Sequence, residues 1–114
     1  MKIELRCEGY SAPDRLNSHV QRRLGRALER FRDRVQWARV RLEDVNGPRG
    51  GSDKLCLVQL RVKGTSDIIL QERQADAHSA FDRAAARVIQ ALQRQIDRQR
   101  RPQRGRVLME PTAA

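Results

Sequence analysis

The chain has 114 residues, enough for one domain that buries about 65% of its unfolded surface and too few for two. Its 24 basic residues outnumber 14 acidic ones, giving a net charge of +10 and a pI near 11.3, and 21 of the 24 are arginine against three lysines. That balance points to a polyanionic partner, nucleic acid before a membrane surface, and no apolar run approaches membrane-spanning length.

Residues 2–7 alternate as a strand, with Ile3, Leu5 and Cys7 on one side. Met1 leads straight into this strand with no basic leader or signal-length apolar run, so a cytoplasmic, reducing setting is expected. Ser11-Ala12-Pro13-Asp14 supplies a cap and an early proline, which predicts a helix from about 13 to 33. Residues 35–45 and 55–63 alternate again around a turn-forming segment at 46–53, reading as an antiparallel hairpin with a long loop. Gly64-Thr65-Ser66-Asp67 forms the next turn, and a strand follows at 68–74. Asp76 then caps a long alanine-rich helix, 77–101, that Pro102 stops.

Two helices that each carry one apolar stripe must cover one face of a sheet to bury it. The order β-α-β-β-β-α therefore predicts an α+β two-layer sandwich, a four-stranded, mainly antiparallel sheet with both helices on one face. Residues 1–101 make that domain and 102–114 a flexible basic tail. Ala38, Val40, Leu42, Cys56, Val58, Leu60 and Val62 should face the helices, and Arg39, Arg41, Gln59, Arg61 and Lys63 the open side. Trp37 falls on the open side, where it packs on a neighbour or stacks on a base.

At about 100° per residue, Leu16, Val20, Leu24, Ala27 and Phe31 gather on one side of the first helix, with Leu28 at the margin. Arg15, Arg22, Arg23, Arg26 and Arg30 gather with His19 in a flanking sector. The second helix repeats the arrangement: Phe81, Ala85, Val88, Leu92 and Ile96 form the stripe, and Arg83, Arg87, Arg94, Arg98 and Arg101 a one-sided row. A GC-rich genome explains arginine in place of lysine but not like charges stacked at helical spacing, where each pair costs a few tenths of a kcal/mol, on the order of 0.3. Phosphates that neutralise the rows explain it, since the guanidinium fork grips phosphate oxygens in pairs. The alternative is a solvated face partly balanced by Glu29, Asp82 and Asp97.

Catalysis has little support, because no Ser/His/Asp or Cys/His arrangement recurs. Gly47-Pro48-Arg49-Gly50-Gly51 lacks the Gly-Lys-Ser/Thr ending of a phosphate loop and leads into a strand, so it reads as a hairpin loop. Cys7 and Cys56 lie far apart and read as buried structural thiols. His19 and His78 are not at ligand spacing, and His78 reads as too isolated for a metal ligand, which leaves it capping or packing. No metal, cofactor or small-molecule substrate is expected.

Val20-Gln21-Arg22-Arg23-Leu24-Gly25-Arg26-Ala27-Leu28-Glu29-Arg30-Phe31 is similar to the basic first helix of the bacterial ribosome hibernation factors, the ribosomal subunit interface proteins. Asp76-Ala77-His78-Ser79-Ala80-Phe81-Asp82 is similar to the Asp-Met-Tyr-x-Ala-Ile-Asp opening of their second helix, and the resemblance extends over about residues 1–100. It implies the same element order, a relative of the double-stranded-RNA-binding fold with an added strand. It also implies binding to 16S rRNA of the small ribosomal subunit, in the decoding channel that mRNA and tRNA would occupy, during stress or stationary phase. Arg22, Arg23, Arg26, Arg87, Arg94 and Arg98 match the family's basic positions, and Arg30, Arg83 and Arg101 join them from the wheel. The chain departs from the pattern in His78 for tyrosine, in its long glycine-rich loop and in its few aromatics, as a divergent short form ending soon after the second helix. A general double-stranded-RNA or RNA-chaperone module, and a protein-interaction domain pairing through the open sheet, are the competing readings.

Overall fold

A computed structural model describes residues 1–8, 13–44 and 53–100. The elements are β1 (Lys2–Glu8), α1 (Asp14–Ala27), a 3-10 turn (Glu29–Phe31), β2 (Val35–Asp44), β3 (Lys54–Val62), β4 (Ile68–Gln74) and α2 (Ala77–Arg100). Ser11 and Ala12, nearly all of the loop at 46–53, Arg101 and the tail at 102–114 lie outside the described residues.

The strands stand in the sheet in chain order, β1 parallel to β2 and the other two pairs antiparallel. A parallel neighbour needs a crossover, and α1 is that crossover; the remaining strands are joined directly and so run antiparallel. Both helices lie on one face, giving the two-layer α+β architecture expected from the order of elements. The β2 and β3 side chains predicted to face inward, Ala38, Val40, Leu42, Cys56, Val58, Leu60 and Val62, are all at most 2% exposed. Leu16, Val20 and Leu24 from α1 and Phe81, Val88, Leu92 and Ile96 from α2 complete the core. Phe81 is its largest fully buried side chain, and truncation to alanine would cost about 3–5 kcal/mol.

Two local features depart from simple periodicity. Helix α1 ends at Ala27 instead of continuing to 33: Phe31 N–H bonds Leu28 C=O and Arg34 N–H bonds Phe31 C=O, an i to i+3 tightening that turns the chain into β2. Leu28, placed at the margin of the stripe by the wheel, is thereby fully buried, while Phe31 is only half-buried. In β2 the register slips between Val35, which pairs Val62, and Trp37, which pairs Arg61. The extra residue is a bulge that lets Val35 enter the core and Trp37 emerge on the open face, positions strict alternation would put on one side.

The β3–β4 turn positions α2. Gly64 takes φ +75°, where a side chain would be strained. Gln99 donates to its carbonyl at 3.1 Å, and Gln95 donates to Thr65 Oγ1 at 2.6 Å and to Ser66 C=O at 3.1 Å. These bonds fix the far half of α2, and with it Arg94 and Arg98, against the edge of the sheet. At the near end Asp76 caps α2 as anticipated: Ser79 N–H and Oγ–H donate to its two carboxylate oxygens at 2.8 and 3.0 Å.

Candidate functional site

The α1 row stands on the helix layer as predicted, with Arg22, Arg26 and Arg30 exposed and Arg23 half-buried. Its inner margin faces α2. Arg30 donates to Gln93 at 2.6 Å while lying over the Phe31 ring, and His19 reaches Asp82. Among the described residues Arg22, Arg23 and Arg26 form no ion pair.

The α2 row lies on that helix's opposite flank, away from α1 and toward β4. Arg83, Arg87, Arg94 and Arg98 are all exposed. Arg83 and Arg87 converge on Glu72 of β4, Arg83 Nε at 3.5 Å from Oε1 and Arg87 bonded to Oε2. Hydrogen bonding from Arg87, reinforced by the charges of both arginines, holds the Glu72 carboxyl below the usual glutamate range. Arg94 and Arg98 form no ion pair among the described residues. The two rows therefore run as separate strips on one layer, with the crest of α2 between them.

The open sheet face treats arginine differently. Each arginine of the two central strands is matched by a carboxylate: Arg39 to Glu4 at 3.0 Å, Arg41 to Glu8 at 2.8 Å and Arg61 to Asp67 at 2.7 Å. The Arg61 bond, helped by Gln59, holds the Asp67 carboxyl below its ordinary value. The guanidinium groups of Arg39 and Arg61 both lie over the Trp37 ring, 4.4 and 5.0 Å from its centroid. It packs on its neighbours.

Three acidic residues act where the sequence alone does not put them. Asp82 does not balance the arginines: it is shared by His19, whose Nε2 lies 2.7 Å from Oδ1, and His78, whose Nδ1 lies 3.2 Å from Oδ2. The two imidazoles stack with centroids 4.0 Å apart, and His19 meets Phe81 edge-on at 5.5 Å. His78 is thus packed, but the isolation read for it is wrong, because α1 brings His19 to it. Glu29 pairs with Arg32 at 2.6 Å, outside the row. Glu72 was missed altogether; its signal was a charge on the inward phase of Ile68, Leu70 and Glu72. Cys56 is fully buried and Cys7 half-buried against the core, with no disulfide. Burial pushes the Cys56 thiol up to about 12.

No described helix is long and apolar enough to cross a membrane. The family model for sigma 54 modulation protein / S30EA ribosomal protein matches residues 3–101. No curated protein matches the chain significantly. Among solved structures, the chain is similar to the N-terminal domain of Protein Y from Thermus thermophilus, at 25% identity and a TM-score of 0.68 over 82% of this chain and 98% of that one. It also shares the fold of a ribosomal subunit interface protein from Coxiella burnetii, at 16% identity and a TM-score of 0.63 over 85% of this chain and 99% of that one. The strand order, the two helix motifs and this match over nearly the whole chain agree: the protein belongs to the sigma 54 modulation protein / S30EA ribosomal protein family, the hibernation-promoting and subunit interface proteins.

Proposed function

We propose that the protein is a translation inhibitor of the resting ribosome, binding 16S rRNA in the decoding channel of the small subunit and excluding mRNA and tRNA by occupancy, without chemistry. The observation that carries this reading is the contrast between the two faces. On the central strands every arginine has its own carboxylate, whereas Arg22, Arg23, Arg26, Arg94 and Arg98 on the helix layer have none among the described residues. Genomic preference accounts for the residue type on both faces; the helix layer keeps five arginines of its two rows for phosphate to neutralise, whereas on the open face the arginines without a carboxylate among the described residues are Arg6 and Arg73 of the two edge strands. Two separate strips suit an RNA surface that offers more than one backbone.

In this reading Arg22, Arg23, Arg26, Arg30, Arg83, Arg87, Arg94 and Arg98 contact rRNA, Arg101 and the basic tail extend the surface, and residues 1–101 form the binding unit. The protein acts in the cytoplasm, in the stress and stationary-phase setting of its family. Sedimentation of the purified protein with ribosomes at moderate salt, with and without competing mRNA and tRNA, tests it. Co-sedimentation relieved by the competitors is expected, and failure to sediment with ribosomes overturns it. Equal affinity for naked duplex RNA would favour a general double-stranded-RNA module instead.

A further inference from the structure

The cluster formed by His19, His78 and Asp82 is not absorbed by an electrostatic role in RNA binding. His78 and Asp82 stand four residues apart on α2, the spacing at which two side chains on one helical face can chelate one ion. His19 arrives from α1. One donor atom from each of the three residues lies within 4.8 Å of the others. His19 is held by Phe81 and is only 20% exposed, whereas the His78 side chain, though stacked on His19, is 57% exposed. Both imidazoles line a cleft of about 540 Å³ whose wall includes Arg15, Arg22 and Asp76.

We propose that His19, His78 and Asp82 form a binding site for one divalent transition-metal ion of the zinc class, which clamps α1 to α2. The donor set selects the ion: imidazole nitrogen with one carboxylate suits zinc, cobalt, nickel or copper, whereas magnesium and calcium require mainly oxygen. Ligand bonds of about 2.0–2.2 Å place tetrahedral donors roughly 3.4 Å apart. The nitrogen-to-carboxylate distances, 2.7 and 3.2 Å, are already close to that. The two nitrogens now meet different oxygens of Asp82, Oδ1 and Oδ2, so the remaining adjustment falls on the more exposed His78 ring, which must leave its stack on His19 to share the ion. Three protein donors leave one position open toward the cleft, and Arg15 and Arg22 there favour water or an anion in it.

The test uses the full chain and cobalt(II) as a spectroscopic probe. One equivalent should saturate an intense visible absorption of tetrahedral nitrogen and oxygen ligation, zinc should abolish it, and zinc should raise the melting temperature. His78→Ala, at an exposed position, should keep the metal-free melting temperature and lose about tenfold or more in affinity. Asp82→Asn should also lose affinity, whichever variant folds better. Absence of saturable uptake, or equal uptake by His78→Ala, overturns the site. A thiolate-to-cobalt band in the near ultraviolet would assign the ion to cysteine and overturn it as well.

Discussion

Glu72 on β4 accepts a hydrogen bond from Arg87 on α2, with Arg83 beside it at 3.5 Å, so one carboxylate of the sheet neutralises part of an otherwise unbalanced row. Glu72 points toward the helix layer from an edge strand, and its side chain is only 12% exposed while its partners are open to solvent. Substituting Glu72→Gln should therefore release both guanidinium groups for phosphate. Ribosome or polyanion affinity should rise several-fold and the salt dependence steepen by up to about one or two further contacts. Stability should change by less than about 1 kcal/mol, because pairs with exposed partners contribute little. Filter binding across a salt series, with chemical denaturation as control, measures both.

The unpaired arginines should carry the binding. Replacing Arg22, Arg26, Arg94 and Arg98 by glutamine should reduce the slope of log affinity against log salt by about one per lost contact. Folding stability should stay within about 0.5 kcal/mol, since all four are exposed. The paired change Arg39→Gln with Arg61→Gln on the sheet face should leave ribosome affinity nearly unchanged. If the sheet-face variant weakened binding as much as the helix-layer variant, the assignment of the surface would be reversed.

Acid should act through the paired carboxylates. Asp67, Glu72 and Asp76 all have folded pKa values below their ordinary ones, the first two through arginine and Asp76 through the backbone N–H and hydroxyl of Ser79. The stabilisation each provides is complete above the unfolded value, 3.8 for aspartate and 4.5 for glutamate, and is lost as pH falls through the lower folded value. Melting temperature should accordingly hold nearly level from pH 7 to about 5 and drop below about pH 4. Asp76→Ala should lower it at pH 7 and flatten the acid limb, while Asp76→Asn, also a good cap, should lower it less.

Cys56 should be chemically silent in the folded protein. Its thiol is fully buried with a pKa of about 12, so a thiol reagent at pH 7.5 should reach it only through unfolding. Cys56→Ser should cost about 1–3 kcal/mol by leaving a hydroxyl in the core, whereas the half-buried Cys7 should tolerate the same change better. Thiol titration with and without denaturant, and melting of both variants, decide it.

Much of the fold was legible because side-chain period and turn chemistry are local. The alternation of Val40, Leu42, Val58 and Leu60 identified the buried sheet face, Asp76 announced the start of α2, and the wheel placed each arginine row on one flank of its helix. What the rows do relative to each other was not local. Helix packing on the sheet leaves the α1 row exposed with its inner margin against α2 and sets the α2 row toward β4, so they form two strips separated by α2.

The same distinction governs the charges. Sequence periodicity could place Arg39, Arg41 and Arg61 on one face and Arg22, Arg26 and Arg94 on another, because that depends only on backbone geometry. Which of them meets a carboxylate depends on strand register: the parallel pairing of β1 with β2 sets Glu4 opposite Arg39, and the β3–β4 turn sets Asp67 beside Arg61. No such partner reaches the exposed helix arginines Arg22 and Arg94 among the described residues. Likewise His19 and His78 meet only because α1 and α2 pack side by side, bringing together rings that lie far apart in the chain. The sequence by itself determined how many positive charges there are and which face of each element carries them; tertiary packing decided which remain unneutralised, and therefore which can hold phosphate.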